Sequence, residues 1–451
     1  MLNKKIFFIF LFAFLVRLIA LNQSLWLDEA VTAKVVMNYG FTEIVSKFSP
    51  TDFHPPLYYL FMKLWTNMFG YSEIALRMPS VLFSLMTGYV VYLIGGIWAA
   101  SFFLFNPLIV YYSQEARMYM MTTFFLTAGL YYFFESQKLE VKSQKYNLKF
   151  KSLLLMNIFF IAAFFSFYGS IFLIVTIFIY LLYKKQYKEF FVSCFLFLVS
   201  FALVSPLLYQ QFVNSKIALI NVANWSLVLG KANIKNLLLI PIKFSIGRIS
   251  FYPKWLYWGI AGMWTGFVLF TIKTVLNKTV FIKTVFYLLI FPLILGFLVS
   301  FFTPMLQYFR FLYLIPLMSI ILGINTLQSR DDRSKIVMKY VMLFGFIVFS
   351  LIYLLLPQFH REDWKSLVKN LPKDKLVYMI TASSDPVSYY DKQLNINELA
   401  NYELKAREIN VIPYTTAIYG FDYKSVLSKA GYKLKKEVSF REVTYEQWTK
   451  K

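Results

Sequence analysis

The chain has 451 residues, of which 59% are hydrophobic, 20% are aromatic and only 15% are charged. Soluble domains carry about 25% charged residues, and the apolar runs here are continuous rather than alternating, so a soluble fold and an outer-membrane barrel are both excluded. The formal net charge of +23 is typical of Lys and Arg that flank membrane spans on the cytoplasmic side, so it does not indicate a nucleic-acid partner. The composition predicts an all-α polytopic protein of the cell membrane.

The apolar runs predict about eleven transmembrane helices. They lie at residues 5–22, 78–96, 97–112, 118–136, 152–169, 170–183, 189–209, 255–272, 284–302, 309–327 and 336–356. The first is predicted to be retained rather than cleaved as a signal peptide, because its apolar run is long, Arg17 interrupts it and no small-x-small cleavage site follows. Lys4 and Lys5 then place the N-terminus in the cytoplasm.

Short basic connections set the orientation of the predicted helices. Those rich in Lys or Arg, and therefore predicted to be cytoplasmic, are 137–151, 184–188, 273–283 and 328–335. Segment 57–69 is apolar but short and contains Lys63, so we interpret it as an interfacial or re-entrant helix. Counting this segment as a span would put the basic loops on the extracytoplasmic side, against the positive-inside rule. An odd number of spans leaves the C-terminal tail on the extracytoplasmic side.

On this topology, the acidic residues collect on the outer face. That face consists of residues 23–77, 111–118, 210–254, 303–308 and 357–451. Six of the nine acids before position 330 lie on it, namely Asp28, Glu29, Glu43, Asp52, Glu73 and Glu115. Membrane insertion responds to Lys and Arg rather than to acids, so the asymmetry indicates that the outer face is the working face.

Segment 210–254 departs from the positive-inside pattern. It contains no acid, and its cations are Lys216, Lys231, Lys235, Lys243, Arg248 and Lys254. Two interpretations stay open: the side chains reach for lipid headgroups, or they form a cationic wall that faces an anionic lipid-linked substrate.

The composition changes after about residue 357, and 14 of the 23 acids lie after position 330. The tail begins with a helix-like stretch, then has a short strand at KLVYMI and a turn at Ser384-Asp385-Pro386. It predicts a small extracytoplasmic α/β domain over 357–451, after a transmembrane module over 1–356 whose outer loop 23–77 carries the active site. The tail is too small to be an independent enzyme.

Asp28 and Glu29, in the string LWLDEA, form the only adjacent acidic pair in the first 330 residues. Acids in the first turn of a helix interact favourably with its dipole, which is one explanation for the pair. The other is a general base with a neighbour that orients substrate. Two further polar strings on the same face favour the second explanation.

The string DFHPPLYY (52–59) places His54 just before a Pro-Pro pair, which fixes the backbone into a rigid turn. His54 either binds substrate, holds a metal with Asp28 or Asp52, or caps the following helix. Tyr58 in the same string is a second candidate for substrate binding. A single His is weak support for a metal site, so we predict no metal and no cofactor.

The string YYSQEARMY (111–119) carries Glu115 and Arg117 at the outer end of a helical hairpin. At this depth they form either a structural ion pair or part of a water-filled cavity. Arg77 in ALRMPS and Arg310 in QYFRFLYLIP are further cations near the outer interface. Several arginines that converge on one face are typical of a phosphate site, so all four residues are candidates for substrate binding.

These parts suit the transfer of a sugar from a polyprenyl phosphate. The leaving phosphate is a stabilised anion and needs cations rather than a general acid, whereas the acceptor hydroxyl needs a base. The sequence contains no glycine-rich nucleotide loop of the GxGxxG or GxxxxGK[ST] type, so energy from soluble nucleotides is not expected.

The strings LWLDEA, FHPPLYYL, SEIALRMPS and NPLIVYYSQEARMY occur in the order and spacing of GT-C-fold glycosyltransferases. The chain resembles the branch of protein mannosyltransferases and aminoarabinose transferases, glycosyltransferase family 39 and relatives, in its bacterial or archaeal form. The resemblance covers residues 1–135 most clearly. It returns at QYFRFLYLIP (307–316) and at REDWKSLV (361–368), which look like the family's arginine-bearing late helix and the start of its outer domain.

The resemblance implies an inverting transfer on the external face, with a polyprenyl-phosphate sugar as donor. It implies that Asp28 is the base, that Glu29 is its neighbour in the motif, and that Arg117 and Arg310 bind the donor phosphate. The chain lacks the domain that eukaryotic mannosyltransferases insert in the large outer loop, and its tail is short. The acceptor therefore stays open between a protein, a lipid and a glycan.

Two alternatives come from other classes of protein. A transporter or flippase for lipid-linked sugars would show internal repeats and polar groups at the membrane midplane, whereas here the polar groups gather at one face. A glycan ligase or polymerase that uses a lipid diphosphate would carry its key residues in one large late outer loop, and segment 210–254 has no acid to offer.

Overall fold

The computed structural model describes residues 4–141, 146–276, 278–324, 333–400 and 406–450. Helices dominate the chain up to residue 355. In chain order they are α1 (Lys4–Leu18), α2 (Leu27–Asn38), α3 (Phe41–Glu43), α4 (Leu57–Phe69), α5 (Glu73–Leu104), α6 (Pro107–Tyr112), α7 (Tyr119–Val141), α8 (Tyr146–Ser166), α9 (Ile171–Tyr183), α10 (Tyr187–Asn221), α11 (Trp225–Leu229), α12 (Ile234–Ile246), α13 (Lys254–Lys273), α14 (Val280–Val299), α15 (Ile315–Ile324) and α16 (Arg333–Leu355). A 3-10 segment at Tyr308–Leu314 leads into α15.

Six helices within the described residues have the length and apolar composition to cross a membrane. They are Glu73–Leu104, Asn147–Ser166, Tyr187–Asn221, Lys254–Lys273, Val280–Val299 and Ile336–Leu355. Two shorter apolar helices lie at Tyr168–Tyr183 and Tyr308–Ile324. The predicted class, a mostly helical multi-pass membrane protein, is confirmed. The count of about eleven spans stays a prediction.

The predicted spans 78–96 and 97–112 lie in a tight hairpin. The helix that begins at Glu73 is interrupted at Gly96, where φ is +78° and a glycine is favoured. The second arm packs back on the first, because a Cβ added at Gly88 would lie 2.5 Å from the side chain of Leu104. A short helix, α6, then carries the chain towards residues 113–118.

Arg17, which interrupts the first apolar run, is fully buried and joins α1 to this hairpin. Its guanidinium donates to Ser84 Oγ at 2.8 Å, to the carbonyl of Ala13 at 2.9 Å and to that of Leu104 at 2.8 Å. A cation at membrane depth needs such internal partners, and here they come from both arms of the hairpin. The packing of α1 therefore depends on this arginine.

The segment 57–69 forms a helix with the predicted bounds. Helix α4 follows the Pro-Pro pair and ends before Gly70, whose φ is +81°. Its 13 residues span only about 20 Å, which is shorter than a hydrocarbon core. Lys63 donates to the carbonyl of Val36 in α2 at 2.7 Å. The helix is thereby attached to α2, and its location in the interface stays a prediction.

Helix α10 differs from the prediction, because it continues past residue 209 to Asn221. The predicted loop 210–254 is thus largely helical, since it also contains α11 and α12. The 35 residues of α10 correspond to about 52 Å, well beyond an apolar core of about 30 Å. Residues 210–221 lack the Gly or Pro that would end a helix. Their side chains also hydrogen-bond the loop before α4, as described below.

The tail forms a five-stranded mixed sheet with short helices. The strands are β1 (Leu376–Met379), β2 (Ile396–Glu398), β3 (Glu408–Val411), β4 (Tyr432–Phe440) and β5 (Val443–Lys450), and the helices are α17 (Trp364–Asn370), α18 (Asp385–Tyr390), α19 (Thr416–Tyr419) and α20 (Tyr423–Lys429). The order is β2-β1-β3-β5-β4, with β1 parallel to both neighbours and β5 antiparallel to both of its own. The turn predicted at 384–386 is wrong, because Asp385 and Pro386 instead start α18, where a proline is well tolerated.

The tail unit is fixed to α2 and to the start of α5 by polar contacts. Lys34 of α2 pairs with Asp385 at 2.7 Å, and Lys365 pairs with Glu73 at 3.0 Å. The backbone N–H of Leu25 donates to the hydroxyl of Tyr390 at 2.8 Å. These contacts hold the chain after α16, which carries Arg361, against the start of α2.

Candidate active site

Glu29 and Arg77 form a buried ion pair that we call the closed pair. Both side chains are 1% exposed. Arg77 Nε donates to Glu29 Oε1 at 2.8 Å and Nη2 donates to Oε2 at 2.5 Å. The other bonds of Arg77 go to the carbonyls of Leu21, Gln23 and Ser24, and the N–H of Ala116 donates to Glu29 Oε1 at 2.7 Å. This bidentate pair joins the hairpin of α5 to α2.

Asp28 lies one residue earlier on α2 but in a different environment. Its side chain is 37% exposed, and its Oδ2 lies 3.4 Å from Nη2 of Arg117. Successive residues of a helix point about 100° apart, which is why one carboxylate faces the packed interior and the other an accessible space. Asp28 therefore keeps an oxygen that is accessible to a reacting group.

Arg117 lies almost fully buried beside Asp28. Its Nη1 donates to the backbone carbonyl of Asp28 at 3.4 Å. Among the residues that the structure describes, Arg117 Nε is buried without a hydrogen-bond partner. Because buried polar groups are normally paired, this neighbourhood has hydrogen-bonding capacity to spare.

His54 contacts Asp52 on the loop before α4. The distance from His54 Nδ1 to Asp52 Oδ1 is 3.3 Å. Burial pushes the pKa of Asp52 up, but the charges of His54 and Arg117 outweigh it, so that pKa lies below its usual range. Asp52 is thus kept as a carboxylate, and it orients the imidazole.

The extended end of α10 holds this loop in place. Gln211 Nε2 donates to the carbonyl of Ser49 at 2.7 Å and to that of His54 at 3.0 Å, while the hydroxyl of Tyr168 donates to Gln211 Oε1 at 2.7 Å. One turn later, Asn214 Nδ2 donates to the carbonyl of Pro50 at 2.7 Å. The position of His54 therefore depends on side chains about 160 residues away.

The sequence allows an ion pair between Glu115 and Arg117. In the structure, Glu115 instead pairs with Arg361. Nε and Nη2 of Arg361 both donate to Glu115 Oε1 at 3.2 Å. Burial raises the pKa of Glu115, and the positive charge of Arg361 opposes that rise. The guanidinium of Arg361 also lies 3.8 Å from the ring centroid of Trp26. Arg361 is thus a cation of the site that sequence reasoning missed.

Arg310 and Arg248 lie at the same end of the molecule. The rings of Phe309 and Tyr119 are 5.5 Å apart, which places Arg310 beside the start of α7 and within electrostatic range of Asp28. Arg248 hydrogen-bonds the hydroxyl of Tyr111 and lies 4.9 Å above its ring. Four arginines, at positions 117, 248, 310 and 361, therefore lie near the three acids Asp28, Asp52 and Glu115.

The structure thus brings most of the predicted residues together. Asp28, His54, Tyr58, Arg117 and Arg310, with Asp52, form what we call the open site. The closed pair lies apart from it in the packed interior, and Glu115 belongs to the Arg361 contact. Within the described ranges, no group of three His, Cys, Asp or Glu side chains is positioned to hold a metal ion.

Sequence reasoning missed several contributors besides Arg361. The sequence indicates Asp52 as an acid of the predicted outer face and as a possible metal partner of His54, and it indicates Arg248 as part of a basic segment. The string REDWKSLV was a signal for Arg361, because it stood out as the start of the outer unit. No local sequence pattern indicates that Gln211 or Asn214 contributes to the site.

Part of the chain matches a known protein family, and its fold matches solved structures. Residues 53–210 match the family model described as dolichyl-phosphate-mannose-protein mannosyltransferase. No curated protein sequence matches the chain. Apo ArnT from Cupriavidus metallidurans has a TM-score of 0.62 at 11% identity, over 98% of this chain and 98% of that chain. The same protein bound to undecaprenyl phosphate has a TM-score of 0.58 at 11% identity, over 99% and 98%.

A more distant match is the oligosaccharyltransferase of Archaeoglobus fulgidus in complex with Zn and sulfate. Its TM-score is 0.54 at 10% identity, over 87% of this chain and 62% of that chain. At such identities the likeness concerns the fold, which is the GT-C-like fold of ArnT. The resemblance indicated by the motifs is confirmed: residues 53–210 match the protein-mannosyltransferase family model, and over nearly its whole length the chain has the GT-C-like fold of ArnT.

Proposed function

We propose that the chain transfers a sugar from a polyprenyl-phosphate donor to an acceptor hydroxyl on the extracytoplasmic face of the cell membrane, with inversion at the anomeric carbon. The observation that carries the proposal is the open site, where an accessible carboxylate lies among buried arginines. The family match and the undecaprenyl phosphate bound to ArnT support a lipid phosphate as the carrier. The acceptor is a protein, a lipid or a glycan.

Asp28 is the general base in this proposal. Its carboxylate takes the proton of the acceptor hydroxyl as the oxygen attacks the anomeric carbon. The bond from that carbon to the phosphate oxygen breaks, and its electron pair leaves with the polyprenyl phosphate, which becomes a dianion. The proton stays on Asp28 until it is released to solvent. No general acid is needed, because the leaving group is already a weak base.

Arg117 and Arg310 bind the leaving phosphate. Both are positioned by backbone carbonyls, Arg117 by that of Asp28 and Arg310 by that of Pro304 at 3.4 Å. Guanidinium groups that are fixed before the reaction stabilise the charge that develops on the phosphate. His54 and the hydroxyl of Tyr58 then contact the substrate beside Arg117. Glu29 and Arg77 act as positioning residues, because their bonds are already used within the closed pair.

The membrane topology is part of the proposal. Eleven spans place the N-terminus in the cytoplasm and the tail unit outside, beside the open site. A tag after Lys451 should then be accessible from outside intact cells. A tag that is accessible only from the cytoplasm would contradict this topology.

The transfer itself is tested with a panel of polyprenyl-phosphate sugars labelled in the sugar. Membranes with the wild-type chain should release label from one donor to an acceptor, and membranes with Asp28→Asn should not. Glu43→Gln, a change at an exposed ion pair with Lys47, is the matched control. Movement of an unmodified lipid-linked sugar across the bilayer, without release of label, would instead favour a flippase.

A further inference from the structure

Residues 210–221, the end of α10 beside the open site, have a polar face that is turned into the protein. Gln211 is 4% exposed, and its amide donates to two backbone carbonyls of the loop 49–54. Asn214 follows three residues later, on the same side of the helix, and donates to a third carbonyl of that loop. The polar face therefore holds the loop that carries part of the open site.

The opposite face of this helix end is apolar and exposed. Its side chains recur at the spacing of one helix face, and we call them the uncovered face: Phe212, Val213, Lys216, Ile217 and Ile220. Ile220 is 80% exposed, as is Leu203 in the preceding apolar stretch of the same helix. A helix at the surface of a soluble domain buries its apolar face and exposes its polar face. Here the arrangement is the reverse, which indicates that the apolar face is covered by another molecule.

The length and position of α10 bring the uncovered face to the surface of a bilayer. Only 11% of the most apolar stretch of α10 is buried, the lowest share among the six candidate spans of the described residues, so the helix lies at the periphery of the bundle. Its length of about 52 Å exceeds an apolar core of about 30 Å and a whole bilayer of about 40–45 Å. Its start follows Lys184 and Lys185, which stay at one membrane surface. Residues 210–221 then reach the headgroup layer at the other surface.

The charge of the uncovered face selects among lipids. Its one ionisable side chain is Lys216, whose Nζ lies 4.5 Å from the ring centroid of Phe212, so the ammonium stays against the apolar surface. The sequence from 210 to 254 contains no acid, and the start of α12 again exposes an apolar and a basic side chain, Ile234 and Lys235. An ammonium in the headgroup layer attracts an anionic lipid more strongly than a zwitterionic one, because the cation of a zwitterionic headgroup opposes it.

We propose that the uncovered face binds anionic phospholipids of the leaflet beside the open site, with acyl chains against its apolar side chains and a headgroup phosphate at Lys216. Lipid bound there supports the helix that holds the loop 49–54. The inference does not depend on the transfer reaction. A second copy of the chain fits the face poorly, because a two-fold contact would set Lys216 against its own equivalent, and the segment offers no acid to separate them.

The test measures which lipids touch the uncovered face of the purified full-length chain. Cys194 is the single cysteine of the chain, so Cys194→Ser combined with Ile220→Cys accepts one fluorescent label, one helical turn from Lys216. The labelled chain is placed in vesicles of phosphatidylcholine with a minority of phosphatidylglycerol, and only one of the two lipids is brominated at a time. Per mole of brominated lipid, phosphatidylglycerol should quench the label about twofold more strongly than phosphatidylcholine does.

Lys216→Gln should make quenching by the two lipids equal, because it removes the charge and keeps most of the apolar face. Lys436→Gln, the same change at an exposed position of β4, should keep the preference. A label at Leu203→Cys, in the apolar stretch of α10, should be quenched equally by both lipids.

Equal quenching by both lipids at Ile220→Cys would overturn the proposal, as would a preference that persists in Lys216→Gln. A label at Ile220→Cys that neither lipid quenches would also overturn it, because the face would then be covered by water or by another protein.

Discussion

Asp28 and Glu29 are neighbours in the sequence and carry the same functional group, yet each lies beside a different arginine in a different setting. Glu29 is bonded at both oxygens within the closed pair. Asp28 has one long contact of 3.4 Å with Arg117 and an exposed face. A carboxylate whose bonds are complete stabilises the fold, and one whose bonds are incomplete is available for chemistry. The same contrast applies to Arg77 and Arg117.

The largest expected effect is on catalysis in the open site. Asp28→Asn keeps the size of the side chain but removes the proposed base, so kcat should fall by about 10²–10⁴-fold. Binding of the donor and the thermal unfolding midpoint should change little, because Asp28 is partly exposed. Labelled-sugar transfer per mole of folded protein measures the effect. Full activity in this variant would remove Asp28 as the base.

Mutation of the closed pair should lower the stability of the fold rather than the rate of the reaction. Glu29→Gln leaves Arg77 as a buried cation without its counter-charge, which costs about 3–5 kcal/mol. The expected result is a much lower unfolding midpoint and a poor yield of folded protein, with kcat per folded molecule nearly unchanged. Glu43→Gln, at the exposed pair with Lys47, is the control and should behave as wild type. A stable Glu29→Gln chain without activity would contradict the distinction between the two acids.

The sequence predicts where helices begin and end better than it predicts the different settings of Asp28 and Glu29. The acidic pair at a helix start and the bounds 57–69 followed from local patterns, namely a Pro-Pro pair, an apolar run and a following glycine. The choice between Asp28 and Glu29 depends on which face of α2 meets Arg77, 48 residues away. Glu115 finds Arg361 across 246 residues. Such contacts are set by packing, which one sequence does not reveal.

The arginines of the open site provide the next test, because they should bind substrate rather than hold the fold. Arg310→Ala should weaken donor binding about 10–100-fold, the loss of a charge-assisted hydrogen bond to phosphate, with a smaller effect on stability than Glu29→Gln. Arg310→Lys should recover part of the affinity. Arg117→Ala should lower both donor affinity and kcat, since Arg117 also contacts Asp28. Isothermal titration with the sugar-bearing lipid separates these effects.

Arg407→Ala is the control for the arginine series, because Arg407 is exposed in the tail unit. It should leave donor affinity as in the wild-type chain. Unchanged donor affinity in both Arg117→Ala and Arg310→Ala would contradict the phosphate assignment. An equal loss of affinity in Arg407→Ala would show that the effect is one of net charge alone.

A smaller effect is expected where neutral hydrogen bonds hold the open site. Gln211→Leu removes the bonds to Ser49, His54 and Tyr168, so the loop with Asp52 and His54 loses its support. We expect kcat/KM to fall about tenfold, or about 1.4 kcal/mol. Ser215→Ala is the control on the same helix, because its hydroxyl bonds only its own helix at Phe212. Equal losses of kcat/KM in both variants would show that the effect comes from a general change in α10 rather than from the hydrogen bonds of Gln211.

The smallest effect concerns pH and Lys243, in the cationic segment 210–254. Burial, with the nearby charges of Arg248 and Lys254, lowers the pKa of Lys243 from 10.5 to about 8. Between pH 8 and 10.5 the unfolded chain therefore holds a proton that the folded chain has released, and stability should rise with pH in that window. We expect donor affinity to move the other way and to fall about threefold between pH 7 and 9, because the segment loses a positive charge that attracts an anionic donor. Lys243→Met should remove this fall, whereas Lys231→Met, at an exposed position, should keep it. A fall that persists in Lys243→Met would place the titrating group elsewhere.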